Sequence, residues 1–136
     1  MRPDDVPVLA MMREALRFHD QRQRITAQNV ANADTPDYTP QDLSAAEFER
    51  ALAAAWTEAR GNSSGQSEGA AAASRMPREY RVENAPDRET TINGNAVVLE
   101  QQMARAAETR MRYETVLGLY QKSMTLLRLS ARGVQS

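Results

Sequence analysis

Residues 96–132 read AVVLEQQMARAAETRMRYETVLGLYQKSMTLLRLSAR. Leu99, Met103, Ala106, Arg110, Tyr113, Leu117, Tyr120, Met124 and Leu127 recur at alternating spacings of four and three. Such spacing places them on one side of an α-helix. Only Arg110 interrupts the stripe, Val116, Leu119 and Leu126 widen it, and no proline intervenes before Gly133. At about 1.5 Å per residue the helix is a rod of roughly 50 Å. A compact body of 136 residues cannot cover a stripe of that length, so a long partner is required. Gly118, inside the helix, costs up to about 1 kcal/mol relative to alanine. It reads either as a close helix crossing or as simple tolerance.

Part of the partner lies in residues 7–33, where Leu9, Met12, Leu16, Ala27 and Val30 recur at helical spacing between charged and amide side chains. His19 and Gln23 interrupt this second stripe. The expected fold is all-α: long N- and C-terminal helices packed as an antiparallel, coiled-coil-like hairpin, with a short helix and a flexible, partly extended middle segment. The N-terminal helix is the shorter, so apolar surface is left over for contacts between subunits.

Pro36 and Pro40 end the first helix near Asn32 to Asp34 and open a turn over 34–42. Ser44, followed by Glu47, forms a capping-box signature for a helix over 43–60, with Phe48, Leu52, Ala55, Trp56 and Ala59 on one face and Gly61 at its end. The stretch GNSSGQSEGAAAAS, 61–74, has no large apolar residue and reads as a mobile linker. Irregular or short extended structure is expected from there to residue 95. Asn93-Gly94 suits a tight hairpin turn or, preferably, a loop leading into the helix of 96–132 with Asn95 as its N-cap. The whole of 1–136 reads as one domain.

Composition removes several function classes. The formal net charge is −1, which lacks the broad positive field of nucleic-acid binders. Arg13, Arg17, Arg22 and Arg24 alternate with Glu14 and Asp20, as on a solvated helix face. There is no cysteine, hence no disulfide, thiolate metal site or cysteine nucleophile. No apolar run approaches the roughly 20 residues of a membrane span, and the first residues lack the basic start and long apolar core of a secretory signal. The single histidine, His19, cannot pair with the adjacent Asp20 across a helix surface and reads as a partly buried interface residue. Asp4-Asp5 and Glu47-Glu49 form no metal or acid/base constellation, and Gly61, Gly65 and Gly69 form no phosphate loop. No catalytic residue, cofactor, metal or small-molecule substrate is expected.

One local signature stands above composition: NVANADTPDY, from Asn29 to Tyr38. Two asparagines three apart at a helix end, followed by Thr35-Pro36, make a rigid corner. Here the chain resembles the axial proteins of the bacterial flagellum, whose N-terminal helix ends in NIANxxTPGY. Ile25, Phe48 and Leu52 extend the likeness. It resumes with Asn93-Gly94-Asn95, Val97, Leu99, Glu100, Met103, Ala106 and Arg112-Tyr113-Glu114, and is nearest to the short proteins of the cell-proximal rod. Asp37 departs from the family's glycine, which implies either a type I turn or a strained residue.

The resemblance implies a structural subunit of the periplasm-spanning rod that leaves the cell through the flagellar type III exporter. Its implied partners are further copies, other rod proteins, a FliE-like adaptor and the export gate. It also implies an assembly motif of Asn29, Val30, Ala31, Asn32, Thr35, Pro36 and Tyr38. The implied packing seam runs through Leu9, Met12, Leu16, Leu99, Met103, Tyr113, Leu117, Tyr120, Met124 and Leu127. Two other classes fit the composition: a soluble helical adaptor or export chaperone that binds a partner helix, and a small hydrolase built on His19.

Overall fold

The computed structural model describes residues 6–61, 77 and 79–133. The mobile linker expected over 61–74 thus falls, apart from Gly61, outside the described residues. Helix α1 runs Pro7–Ala31, strand β1 Gln41–Leu43, helix α2 Ala45–Gly61, strand β2 Val82–Asn84 and helix α3 Leu99–Gly133. Among the described residues the architecture is all-α with one two-stranded antiparallel ribbon, in which Gln41 faces Asn84 and Leu43 faces Val82. That ribbon puts a short extended piece into the expected turn at 34–42, while β2 falls in the segment read as irregular or short extended structure.

Pro7 sits at the first position of α1, where its fixed φ suits a helix and its missing N–H is not needed. The Val6 carbonyl accepts from Leu9 and Ala10 N–H at 3.0 and 3.1 Å. At the other end Asn32 Nδ2 donates to the Gln28 carbonyl at 2.8 Å, so α1 stops at Ala31, two residues before the expected boundary. For α2 the capping box is only half formed. Ser44 Oγ accepts from the Glu47 N–H at 3.3 Å, but the Glu47 carboxylate takes the Arg81 N–H at 2.9 Å. The Ser44 N–H instead donates to the Arg81 carbonyl at 3.0 Å. A chain segment arriving beside β1 thus replaces the local reciprocal bond.

The two long helices pack antiparallel. Asn29 near the end of α1 meets Gln102 near the start of α3, and at the far end Val8 and Leu9 share a depression with Leu126 and Leu127. At about 1.5 Å per residue α1 is roughly 37 Å long and α3 roughly 52 Å. The register still sets α1 alongside all but the last turn or two of α3. The leftover apolar surface is therefore not a bare length of stripe, as the difference in helix length suggests. It lies on the flanks and outer side of α3, where Met103, Met111, Leu119, Leu126 and Leu129 are 50–64% exposed.

The main core lies between α1, the ribbon and α2: Phe18, Ile25, Leu43 and Tyr80 are buried, with Phe48 packed on them. Phe18 stacks on Phe48 with ring centroids 4.3 Å apart, and Tyr80 meets both edge-on at 5.1 and 5.5 Å. Each such aromatic pair contributes about 0.5–1.5 kcal/mol beyond its buried area. His19 is buried beside this cluster, 5.5 Å from the Phe18 ring, and so belongs to the chain's own core rather than to an interface. Three of the seven aromatic residues of the chain thus meet where three elements join.

Candidate functional site

The asparagine corner is built around Asn29, which is 1% exposed. Its Nδ2 donates to the Gln41 carbonyl at 2.7 Å and to Gln102 Oε1 at 3.0 Å. Its Oδ1 accepts from the Gln41 N–H at 2.9 Å and from the Tyr38 hydroxyl at 3.1 Å. Both donors and both acceptor sites of one amide are used, which is what burial of such a group requires. One side chain thereby ties α1 to β1, to the turn that precedes β1 and to α3. Burial pushes the Tyr38 phenol above its ordinary pKa, so it stays a hydroxyl donor.

The network continues from Gln102, whose Nε2 donates to Asp87 Oδ2 at 2.9 Å. The same oxygen accepts the Val98 N–H at 2.8 Å and so caps α3, while Asp87 Oδ1 faces Arg105 at 3.3 Å. Asp87, from the loop after β2, fills the capping place expected of Asn95. The helix accordingly starts at Leu99 rather than 96.

Asn95 has a different task. Also 1% exposed, it donates through Nδ2 to the Asn32 and Thr35 carbonyls at 3.0 and 2.6 Å and accepts the Val97 N–H at 2.8 Å. The loop over 91–95 is thereby clamped onto the end of α1. Thr91 to Gly94 forms a turn closed by the Gly94 N–H on the Thr91 carbonyl at 2.9 Å, with Asn93-Gly94 at its end and not at the centre of a hairpin.

Thr35, Pro36, Asp37 and Tyr38 form a second turn, closed by the Tyr38 N–H on the Thr35 carbonyl at 3.4 Å. Asp37 has φ +58°. Proline followed by a positive φ is the type II pattern, so of the two geometries expected for Asp37 the strained one is adopted. Its N–H donates to the Asn93 carbonyl at 3.1 Å, and its carboxylate fills the space that a side chain at Gly94 would need. Gly94 itself has φ +79°.

The remaining motif residues divide by environment. Asn32 is half-buried, and its Oδ1 accepts the Thr35 hydroxyl at 3.1 Å. Val30, Ala31, Thr35 and Pro36 are exposed. Nearby, Arg22 holds Asp42 with two bonds of 2.8 and 2.7 Å, fastening β1 to α1 a second time.

Of the expected seam residues, Leu9 is buried, while Met12, Leu16, Tyr113, Leu117, Tyr120, Met124 and Leu127 are half-buried. Leu99 and Met103 are exposed. In that first half of α3 the inward side chains are Gln102, Arg105, Ala106 and Thr109. The polar clamp, not the apolar repeat, decides how the helix is rotated there. Gln102, Asp87 and Gln41 escape a search for apolar periodicity, because a buried amide is apparent only once its partner across the fold is known.

Little here suggests chemistry. Among the described residues no three of His, Asp and Glu come together as a metal site, and none of the described helices is long and apolar enough to cross a membrane. His19 has its pKa lowered by burial and, to a lesser extent, by Arg112 and Arg22. Burial pushes the Tyr80 phenol up to about 12.

No family model matches the chain. Among characterised proteins it is similar to the flagellar basal body rod protein FlgB of Yersinia ruckeri, with 30% identity over 119 residues, 80% of this chain and 82% of that protein. It is likewise similar to FlgB of Salmonella typhimurium, with 30% identity over 129 residues, 85% and 88% of the two chains. FlgB of Escherichia coli is 30% identical over 116 residues, 80% of this chain and 81% of that one.

Proposed function

The chain belongs to the FlgB family of flagellar basal body rod proteins, and from that premise we propose how this structural rod subunit is used. It is a non-catalytic building block of the cell-proximal rod. It leaves the cell through the flagellar type III exporter and joins the export gate and a FliE-like adaptor to the other rod subunits. The corner from Asn29 to Tyr38 holds the two terminal helices in register, and the seam residues on those helices pack the hairpin internally and against its neighbours.

The observation that carries this reading is the apolar outer side of α3. Met103 and Met111 are 61% and 64% exposed on a helix whose inner side already has a partner. Single large apolar side chains on a surface are ordinary, but a row of them along one helix is a binding surface. The flanking ion pairs, Arg110 with Glu114 and Arg112 with Glu108, keep that surface wet until a partner covers it.

The test is incorporation. Met103→Glu and Met111→Glu leave the helical content of the isolated subunit and its export into the medium unchanged, and remove it from purified basal bodies. Finding either variant there at the wild-type level contradicts the assignment. These positions test assembly more cleanly than Leu117 or Tyr120, whose half-buried side chains also hold the hairpin together.

A further inference from the structure

Between α1, α2 and α3 lies an open apolar groove of about 440 Å³, walled by Met11, Met12, Leu52, Trp56, Val116 and Leu119, with Glu49 at its rim. Trp56, expected on the packed face of α2, is 45% exposed here. We propose that this groove receives the C-terminal end of α3 from a second copy of the chain, so that successive subunits join head to tail. The inference rests on the reading of the chain as a rod subunit and names the contact by which copies would meet.

Three observations select that occupant. First, the last turns of α3, beside the start of α1, expose Leu126 and Leu129, 60% and 58%, a pair at i and i+3 that suits a helix laid into a groove. Second, the charges match. After Glu114 the sequence has no acidic side chain, and Lys122, Arg128 and Arg132 have no ion-pair partner among the described residues. Upstream, Arg22, Arg24, Arg81, Arg105, Arg110 and Arg112 are paired, whereas Arg50 and Arg88 have no ion-pair partner among the described residues. Glu49, at the groove's rim, is likewise unpaired among the described residues.

Third, the helix cannot serve its own groove. α3 is continuous from Leu99 to Gly133, and Val116 and Leu119 on it already form one wall, so its end cannot turn back. A knob and a hole on different parts of one rigid molecule make a heterologous contact, and such contacts propagate instead of closing on themselves.

The natural absence of cysteine permits a direct test with the full chain. Ala53→Cys lines the groove and Ser130→Cys lies in the last turn of α3 beside Leu126 and Leu129, both at exposed positions. Mixed under oxidising conditions over a concentration series up to the solubility limit, the two variants should form a heterodimer well in excess of either homodimer. Glu49→Arg should reduce that product at least tenfold, and Arg128→Glu with Arg132→Glu on the other variant should restore it. A Ser130→Cys homodimer as the main product would replace this contact with a symmetric one and overturn the proposal. No heterodimer at any concentration would overturn it too, leaving the groove to a different protein. Neither result touches the rod assignment, which the recovery of wild-type chain in basal bodies tests separately.

Discussion

Asn29 and Asn32 are alike in sequence, yet replacing each by alanine should have very different effects. Asn29→Ala strands the Gln41 N–H and C=O and Gln102 Oε1, all three shielded from water to some degree. Each costs about 1–2 kcal/mol when left unpaired. The Tyr38 hydroxyl, being half-buried, turns to solvent at little cost. The sum is about 3–6 kcal/mol, a large share of the ~5–15 kcal/mol that holds an ordinary domain together. Asn32→Ala removes two bonds that lie in contact with water, and the loss should stay below about 1 kcal/mol. Urea unfolding followed by circular dichroism measures both, with an unchanged slope confirming that the unfolded state is not what moved. Equal losses for the two variants would refute the argument that burial sets the importance of each asparagine.

Three more outcomes follow from individual side chains. His19 is held neutral by burial and by Arg112 and Arg22, so its folded pKa lies below the ordinary 6.5. Its contribution is complete above that value, falls as pH drops through it and levels off below the folded pKa. The urea midpoint should therefore decline more steeply between about pH 7.5 and pH 5 in the parent than in His19→Gln. Gly118→Ala adds a methyl group into open space and should raise stability by about 0.5–1 kcal/mol, seen as a higher thermal midpoint; a loss would reveal a close contact at that position. Gly94→Ala should cost about 2 kcal/mol or more, from its positive φ and from collision with the Asp37 carboxylate. Adding Asp37→Gly should recover part of that loss, and purely additive effects in the double variant would contradict the contact.

Much of the architecture is legible in residue periodicity. The four-three spacing from Leu99 to Leu127 and the unbroken run to Gly133 specify a long helix, and Pro36 and Pro40 specify where its partner ends. Local rules fail where a distant segment competes for the same group. Ser44 and Glu47 carry a complete capping box, but the Arg81 backbone takes half of it. Asn95 carries an N-cap preference, but the carbonyls of Asn32 and Thr35 claim its amide, and Asp87 caps the helix in its place. The corner motif is visible as a pattern, but the hydrogen bonds that make Asn29 buried and Asn32 wet are not.

By itself, then, the sequence determined that this protein is a pair of long helices joined through a rigid asparagine-proline corner, because helical periodicity and proline geometry act over a few residues. Tertiary structure decided how α3 is rotated about its axis. Near Gln102 a chain of buried amides ending on the Asp87 carboxylate turns polar residues inward, since leaving them unpaired costs more than exposing Leu99 and Met103. That rotation also decides which apolar side chains face outward, and hence which surface is left for neighbouring subunits.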